Sequence, residues 1–139
     1  MDYLELARLL ERWNQGERAG EIDAEASHRL AVYGTLAPGE CNHWVLAGLE
    51  GTWTAGTVRG DLRPAGWAEA HGFPGLIWNP AGKPVAVKIF ESADLPRHWE
   101  RIDTFEGPDY PRVLIPVERG GELVVANIYA LRSEAGGHA

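Results

Sequence analysis

Glu106 is a carboxylate in an apolar place. Advancing about 100° per residue along a helix over 95–106, Trp99 falls near ~40°, Ile102 near ~−20° and Glu106 near ~20° from Leu95. The carboxyl group therefore lies inside the apolar stripe of that helix. It also stands at the C-terminal end, where the helix macrodipole disfavours an anion, and directly before Gly107, where the chain turns. Burial and dipole together raise a carboxyl pKa toward neutrality, and such a group can take and return protons as a general acid/base. A plainer reading also fits. The helix has ended by Glu106, and the side chain faces water or pairs with an arginine such as Arg112. The wheel alone does not choose between them.

Two other chemistries are weaker. Cys41 follows Pro38-Gly39-Glu40, and His43 lies two residues on. A thiol near a helix N-terminus has a lowered pKa, so a Cys/His nucleophile is conceivable. Side chains at i and i+2 of a helix diverge, however, which argues against the pair. The five histidines, His28, His43, His71, His98 and His138, show no ligand-type spacing with acids or cysteines. A metal site is not expected, nor is a cofactor. His98 and Asp103 fall on the flanks of the helix and read as solvated. By residue type alone, Tyr33 and Tyr110 read as core aromatics, Gly34 as a turn and Thr35 as a cap. Arg112 reads as a strand residue or the partner of Asp103.

The elements that must position these groups follow from periodicity. Tyr3, Leu6, Leu10 and Trp13 form one apolar stripe, which predicts a helix over 2–15. Residues 16–21 read as a linker, and Asp23 as the cap of a short second helix. Leu30, Val32 and Tyr33 begin a strand ending at Gly34, and residues 40–48 read as a short helix. Residues 51–63, 73–78 and 84–90 read as extended, the last two joined by the turn Asn79-Pro80-Ala81-Gly82. The helix 95–106 is expected to start at an Asp94 cap with Pro96 in its first turn, and Gly107-Pro108 stops it. Residues 110–118 and 122–131 read as a hairpin around Gly120-Gly121, with Pro116 marking an edge or a bulge. The expected fold is α+β. It is a small mixed, curled or barrel-like sheet of five to six strands, with rim helices and an N-terminal helical extension.

Two segments carry a family resemblance. Val32-Tyr33-Gly34-Thr35-Leu36, followed by Pro38-Gly39 and Asn42, resembles the N-terminal signature of the γ-glutamylcyclotransferase-like family. Ile102-Asp103-Thr104-Phe105-Glu106-Gly107, followed by Tyr110 and Arg112, resembles its acidic helix end and the Tyr-x-Arg that opens the next strand. Tyr129 matches a late aromatic position. The similarity spans roughly 30–131, leaving 1–29 as the extension and 132–139 as a C-terminal tail. It implies an enzyme that cyclises a γ-glutamyl amine or amide to 5-oxoproline and releases the amine. It further implies that the backbone N–H groups of Gly34, Thr35 and Leu36 hold the glutamyl moiety, and that Tyr33 shapes the pocket. Glu106 would carry the proton, and Tyr110 and Arg112 would border or brace the substrate site. The family's fold is a small mixed sheet curled into a barrel. The strand 84–90 lacks the Gly-Glu-hydrophobic-Tyr pattern frequent in the family.

The chemistry suits so few residues. The nucleophile is the substrate's own α-amine, so no enzyme nucleophile, metal or cofactor is required. Well-oriented intramolecular attack is worth an effective molarity of about 10⁵–10⁸ M. A rival reading is a non-catalytic protein that binds a γ-glutamyl or carboxylate metabolite on the same fold. Glu106 separates the two, because a binder can lose it and an enzyme cannot.

Composition bounds the rest. At 139 residues, the length suits one domain with its own core. Apolar residues make up 45% and charged residues 24%, an ordinary globular balance. The net charge is −7, and no basic run offers a footprint for nucleic acid or an anionic membrane. The substrate can still be anionic, since backbone N–H groups bind carboxylates locally. One cysteine allows no intrachain disulfide, and the acidic start does not read as a signal peptide; a cytoplasmic location is expected. The Leu6/Leu10/Trp13 stripe should dock on the domain or on a second copy, so a homodimer is among the assemblies allowed. Trp44, Trp53, Trp67, Trp78 and Trp99 are expected mostly in the core or lining a pocket.

Overall fold

A computed structural model of the chain describes residues 2–17, 22–33, 43–63 and 75–131. Helix α1 spans Tyr3–Asn14 and begins at Asp2, whose carboxylate accepts from the Glu5 N–H at 2.9 Å. A 3₁₀ turn over Ala24–His28 follows, capped by Asp23 as the sequence suggests. Strand β1 is Arg29–Val32, β2 Thr52–Arg63, β3 Gly75–Trp78 and β4 Lys83–Glu91. Helix α2 is Trp99–Glu106, and β5 (Arg112–Arg119) and β6 (Glu122–Tyr129) form the final hairpin.

The strands lie in the order β3-β2-β4-β1-β6-β5, and a further pairing of Thr57 with Glu118 joins β2 to β5. Five strands thus close into a barrel, and β3 extends β2 outside the ring. All pairs are antiparallel except β1 with β6. Closure brings β2 tight against its neighbours at Gly56. A Cβ there would sit 2.7 Å from Ile89 Cδ1 and 2.8 Å from Val117 Cγ1, inside van der Waals contact.

Alternation along the strands sorts the apolar residues into two layers. Ala31, Val58, Val87, Ile89, Ile115, Val117, Ala126 and Ile128 fill the barrel. Leu30, Val32, Phe90 and Tyr129 point outward and meet Leu95, Trp99 and Ile102. The second layer is what seats α2 on the barrel wall. A third cluster joins Leu10 of α1 to Ala26 and Val125. The α1 stripe is therefore spent on the chain's own barrel. At its end, the Asn14 side-chain amide pairs with the backbone of Leu114 in both directions, at 2.9 Å each. The Leu114 N–H points away from β6, and Pro116, two residues on, would aim its absent N–H the same way. That outer edge is the place in a sheet where proline costs no ladder bond.

The hairpin turn is Gly120-Gly121, at φ 58° and 87°, between Arg119 and Glu122, which pair directly. A two-residue turn with both central φ angles positive matches the strand twist, and glycine adopts it without strain.

Two elements differ from expectation. The helix expected over 95–106 is divided: Leu95–Arg97 is a 3₁₀ turn, and α2 begins at Trp99. Asp94 does not cap it; its carboxylate instead accepts from the Glu50 N–H at 3.0 Å and from Arg97 at 2.7 Å. Trp99, Ile102 and Glu106 all belong to α2, so their relative phase is kept. The helix expected over 40–48 is a 3₁₀ turn at His43–Val45 within its described part. Among the described residues, no helix is long and apolar enough to cross a membrane.

Candidate active site

Glu106 is the last residue of α2. The next residue, Gly107, has φ 85°, and its N–H returns to the Asp103 carbonyl at 3.0 Å. That turn ends the helix and points the chain toward β5. Trp99 and Ile102, on the same face as Glu106, are buried against the barrel wall. The carboxyl is drawn down with them, and burial pushes its pKa up to about 7.

Three tyrosines lie within reach of its charge. Tyr33 follows β1 and Tyr129 ends β6; because these strands run parallel, their C-terminal ends lie side by side. The Tyr33 hydroxyl donates to the Tyr129 carbonyl at 2.6 Å. Tyr110 stands in the turn between α2 and β5, and its hydroxyl is buried. Burial raises the pKa of all three phenols, and the Glu106 charge adds to the rise in each. All three stay protonated at neutral pH, while Glu106 titrates there.

Asp103, read from the sequence as a solvated flank residue, holds a network. Its Oδ1 accepts from the Tyr129 hydroxyl at 2.6 Å and from Arg112 Nε at 2.9 Å. Arg112 Nη1 donates to Asn127 Oδ1 at 2.9 Å, and the guanidinium lies 4.3 Å over the Trp99 ring. Asn127, 4% exposed, in turn donates to the Ala26 carbonyl at 2.9 Å. Arg112 is thus engaged with Asp103, and Glu106 has no ion pair among the described residues. The arginine-paired alternative for Glu106 is thereby set aside, and Arg112 braces the wall behind it. Sequence reasoning missed the hub role of Asp103 and Asn127. The spacing of Asp103 and Arg112 held the only signal, and it named the pair without the tyrosine.

A cavity of about 440 Å³ is lined by Arg112 together with Trp13, Asn14, Trp99 and Asn127. Glu106 does not line it, so it is separate from the tyrosine cluster. Among the described residues there is no group of three or more His, Cys, Asp or Glu that could hold a metal ion. Gly34, Thr35, Leu36 and Cys41 lie outside the described residues. Trp44, expected in the core or a pocket, is instead 64% exposed and packs edge-on against Phe105 at 5.7 Å between ring centroids.

The comparison with known proteins can now be placed on this geometry. A family model described as "Gamma-glutamyl cyclotransferase, AIG2-like" matches residues 30–139. The chain belongs to that family. No curated protein matches. The fold is similar to that of an AIG2-like protein from Mus musculus, with a TM-score of 0.59 and 24% identity over 76% of this chain and 77% of that one. YkqA from Bacillus subtilis aligns with a TM-score of 0.59 and 26% identity, over 76% of this chain and 36% of that one. An Arabidopsis thaliana protein solved in solution gives a TM-score of 0.58 at 22% identity, over 77% of this chain and 70% of that one. These likenesses agree with the closed barrel, the added strand and the two helices.

Proposed function

We propose that this γ-glutamyl cyclotransferase-like protein converts a γ-glutamyl amine or amide into 5-oxoproline and a free amine, with Glu106 as general acid/base. The observation that carries the reading is the Glu106 carboxyl, drawn inward, raised to about 7 and without an ion pair among the described residues. A base poised near the working pH transfers protons in both directions most effectively.

Glu106 as carboxylate takes a proton from the substrate's α-ammonium. The freed amine attacks the γ-carbonyl carbon, and the new C–N bond closes the five-membered ring. Glu106 returns its proton to the leaving nitrogen as the tetrahedral oxyanion collapses and that C–N bond breaks. The attacking nitrogen then gives its second proton to the freed carboxylate, which leaves the neutral lactam N–H, and the carboxylate passes that proton to the released amine. The N–H groups of Gly34, Thr35 and Leu36 are assigned the glutamyl moiety by the family resemblance, since donors placed at a developing charge stabilise it. Tyr33 and Tyr110 contribute neutral walls that keep water from the carboxyl. Arg112 acts through Asp103 and Tyr129, fixing the wall on which Glu106 rests. The single cysteine suits the cytoplasm as the setting.

The test is 5-oxoproline release from a panel of γ-glutamyl compounds by wild type and Glu106→Gln. Release by wild type alone supports the reaction and its base together. If neither released it, while γ-glutamyl ligands raised the melting temperature of both, the metabolite-binding reading would replace this one.

A further inference from the structure

The two flanks of Glu106 on α2 are unlike. Asp103 lies about 60° to one side, and Phe105 about 100° to the other. The first flank is closed, since the Tyr129 hydroxyl and the Arg112 guanidinium both bond to Asp103. The second presents two exposed rings. Trp44 is 64% exposed and Phe105 39%, and they meet edge-on, 84° between planes. Trp44 projects from the 3₁₀ turn at His43–Val45, whose Val45 and Leu46 are buried under α2 with Ile102. The pair therefore stands on a fixed base. Two large rings are thus held together in water beside the residue that ends α2.

Chemistry supplies the link. A proton donor must come within about 2.6–3.2 Å of the nitrogen that leaves. The substituent on that nitrogen must then continue past Glu106 along an open flank. We infer that the Trp44–Phe105 pair is the leaving-amine subsite, and that the preferred substrates carry an uncharged aromatic or bulky apolar amine. This rests on the proposed role of Glu106. A ring on the substrate would cover both faces and bury apolar area now in water. A small amine would gain little there.

The test compares γ-glutamyl-benzylamide, γ-glutamyl-methylamide and the γ-glutamyl derivative of the lysine side chain. Wild type should show kcat/KM at least about 10-fold higher for the benzylamide, in the range a hydrophobic subsite gives. Trp44→Ala and Phe105→Ala should each reduce that benzyl-to-methyl ratio several-fold. A ratio near one in wild type, or one unchanged in both variants, would overturn the subsite while the reaction itself stood. Should no compound be turned over, calorimetric titration decides instead. Benzylamide binding tighter than methylamide, and weakened by Trp44→Ala, supports the subsite; equal binding removes it. Trp44 is largely in water, so its replacement tests recognition with little cost to folding.

Discussion

Arg112 closes on Asp103, with Nε 2.9 Å from Oδ1, and so leaves Glu106, one helical turn on, without an arginine among the described residues. Two carboxylates on one short helix thus receive opposite treatment. One is paired with a guanidinium and tied to the wall. The other is half-buried with no ion pair among the described residues, and its pKa rises. Opposed environments of this kind separate a structural carboxylate from one able to exchange protons near neutrality.

Asp103→Asn should undo that separation. The guanidinium would lose the charge it is paired with, and an uncompensated positive charge in the same wall favours the carboxylate form of Glu106. The acid limb of kcat/KM should therefore move to lower pH. An unmoved limb would show that Arg112 has no electrostatic reach to Glu106.

In wild type that limb should lie near pH 7. The carboxylate form is the one able to take the ammonium proton, so kcat/KM should fall about tenfold per unit below the Glu106 pKa of about 7. Glu106→Gln should abolish the limb with the activity. A limb near pH 4.5 would mean that the carboxyl is hydrated in solution.

The same burial affects stability, with the opposite sense to a salt-bridged acid. The folded pKa of Glu106 is raised above its unfolded value, so folding favours the protonated form. Its stabilising contribution is full below about pH 4.3 and is lost as pH rises through about 7. Glu106→Gln should therefore match wild type at pH 4 and exceed it at pH 8. The gain should be about 1–2 kcal/mol, after allowing for residual exposure. Urea midpoints at the two pH values measure it. Equal midpoints at both would contradict a desolvated carboxyl.

Much of this was legible in the sequence, for identifiable reasons. Glu106, Trp99 and Ile102 keep their phase because all three fall within α2, whatever happens upstream. The break at His98 was not legible, because Pro96 suits a 3₁₀ turn as well as the first turn of an α-helix. The hairpin showed itself through Gly120-Gly121, and the edge through Pro116. The curled, barrel-like sheet was expected as well, but not the pairing that closes it, Thr57 with Glu118, which lies across about sixty residues. The Asp103 hub needed Tyr129 and Asn127, which only β6 brings near. Trp44 stands in water although the tryptophans were expected mostly in the core or lining a pocket, because composition gives only a residue type's usual burial.

The buried cation Arg29 tests how the site's scaffold is held. The Arg29 side chain is 8% exposed and bonds Asp23 at 2.8 Å, Glu91 at 2.9 Å and the Val125 carbonyl at 3.1 Å. It thereby ties the Ala24–His28 turn and β4 to β1, the strand that leads into Tyr33. Removing one partner of a buried pair costs about 3–5 kcal/mol. Glu91 keeps Arg119 at 3.0 Å, and Asp23 is 43% exposed, so both acids are partly compensated. Arg29→Ala should therefore cost about 2–3 kcal/mol in urea unfolding at pH 7. The Arg29 hydrogen bond holds the Asp23 carboxyl below its usual range. That contribution is present above about pH 4 and is lost as pH falls through the lowered value. The difference between wild type and Arg29→Ala should shrink below pH 4. A difference constant down to pH 2 would place the cost in lost packing and leave the ion pairs without a share in it.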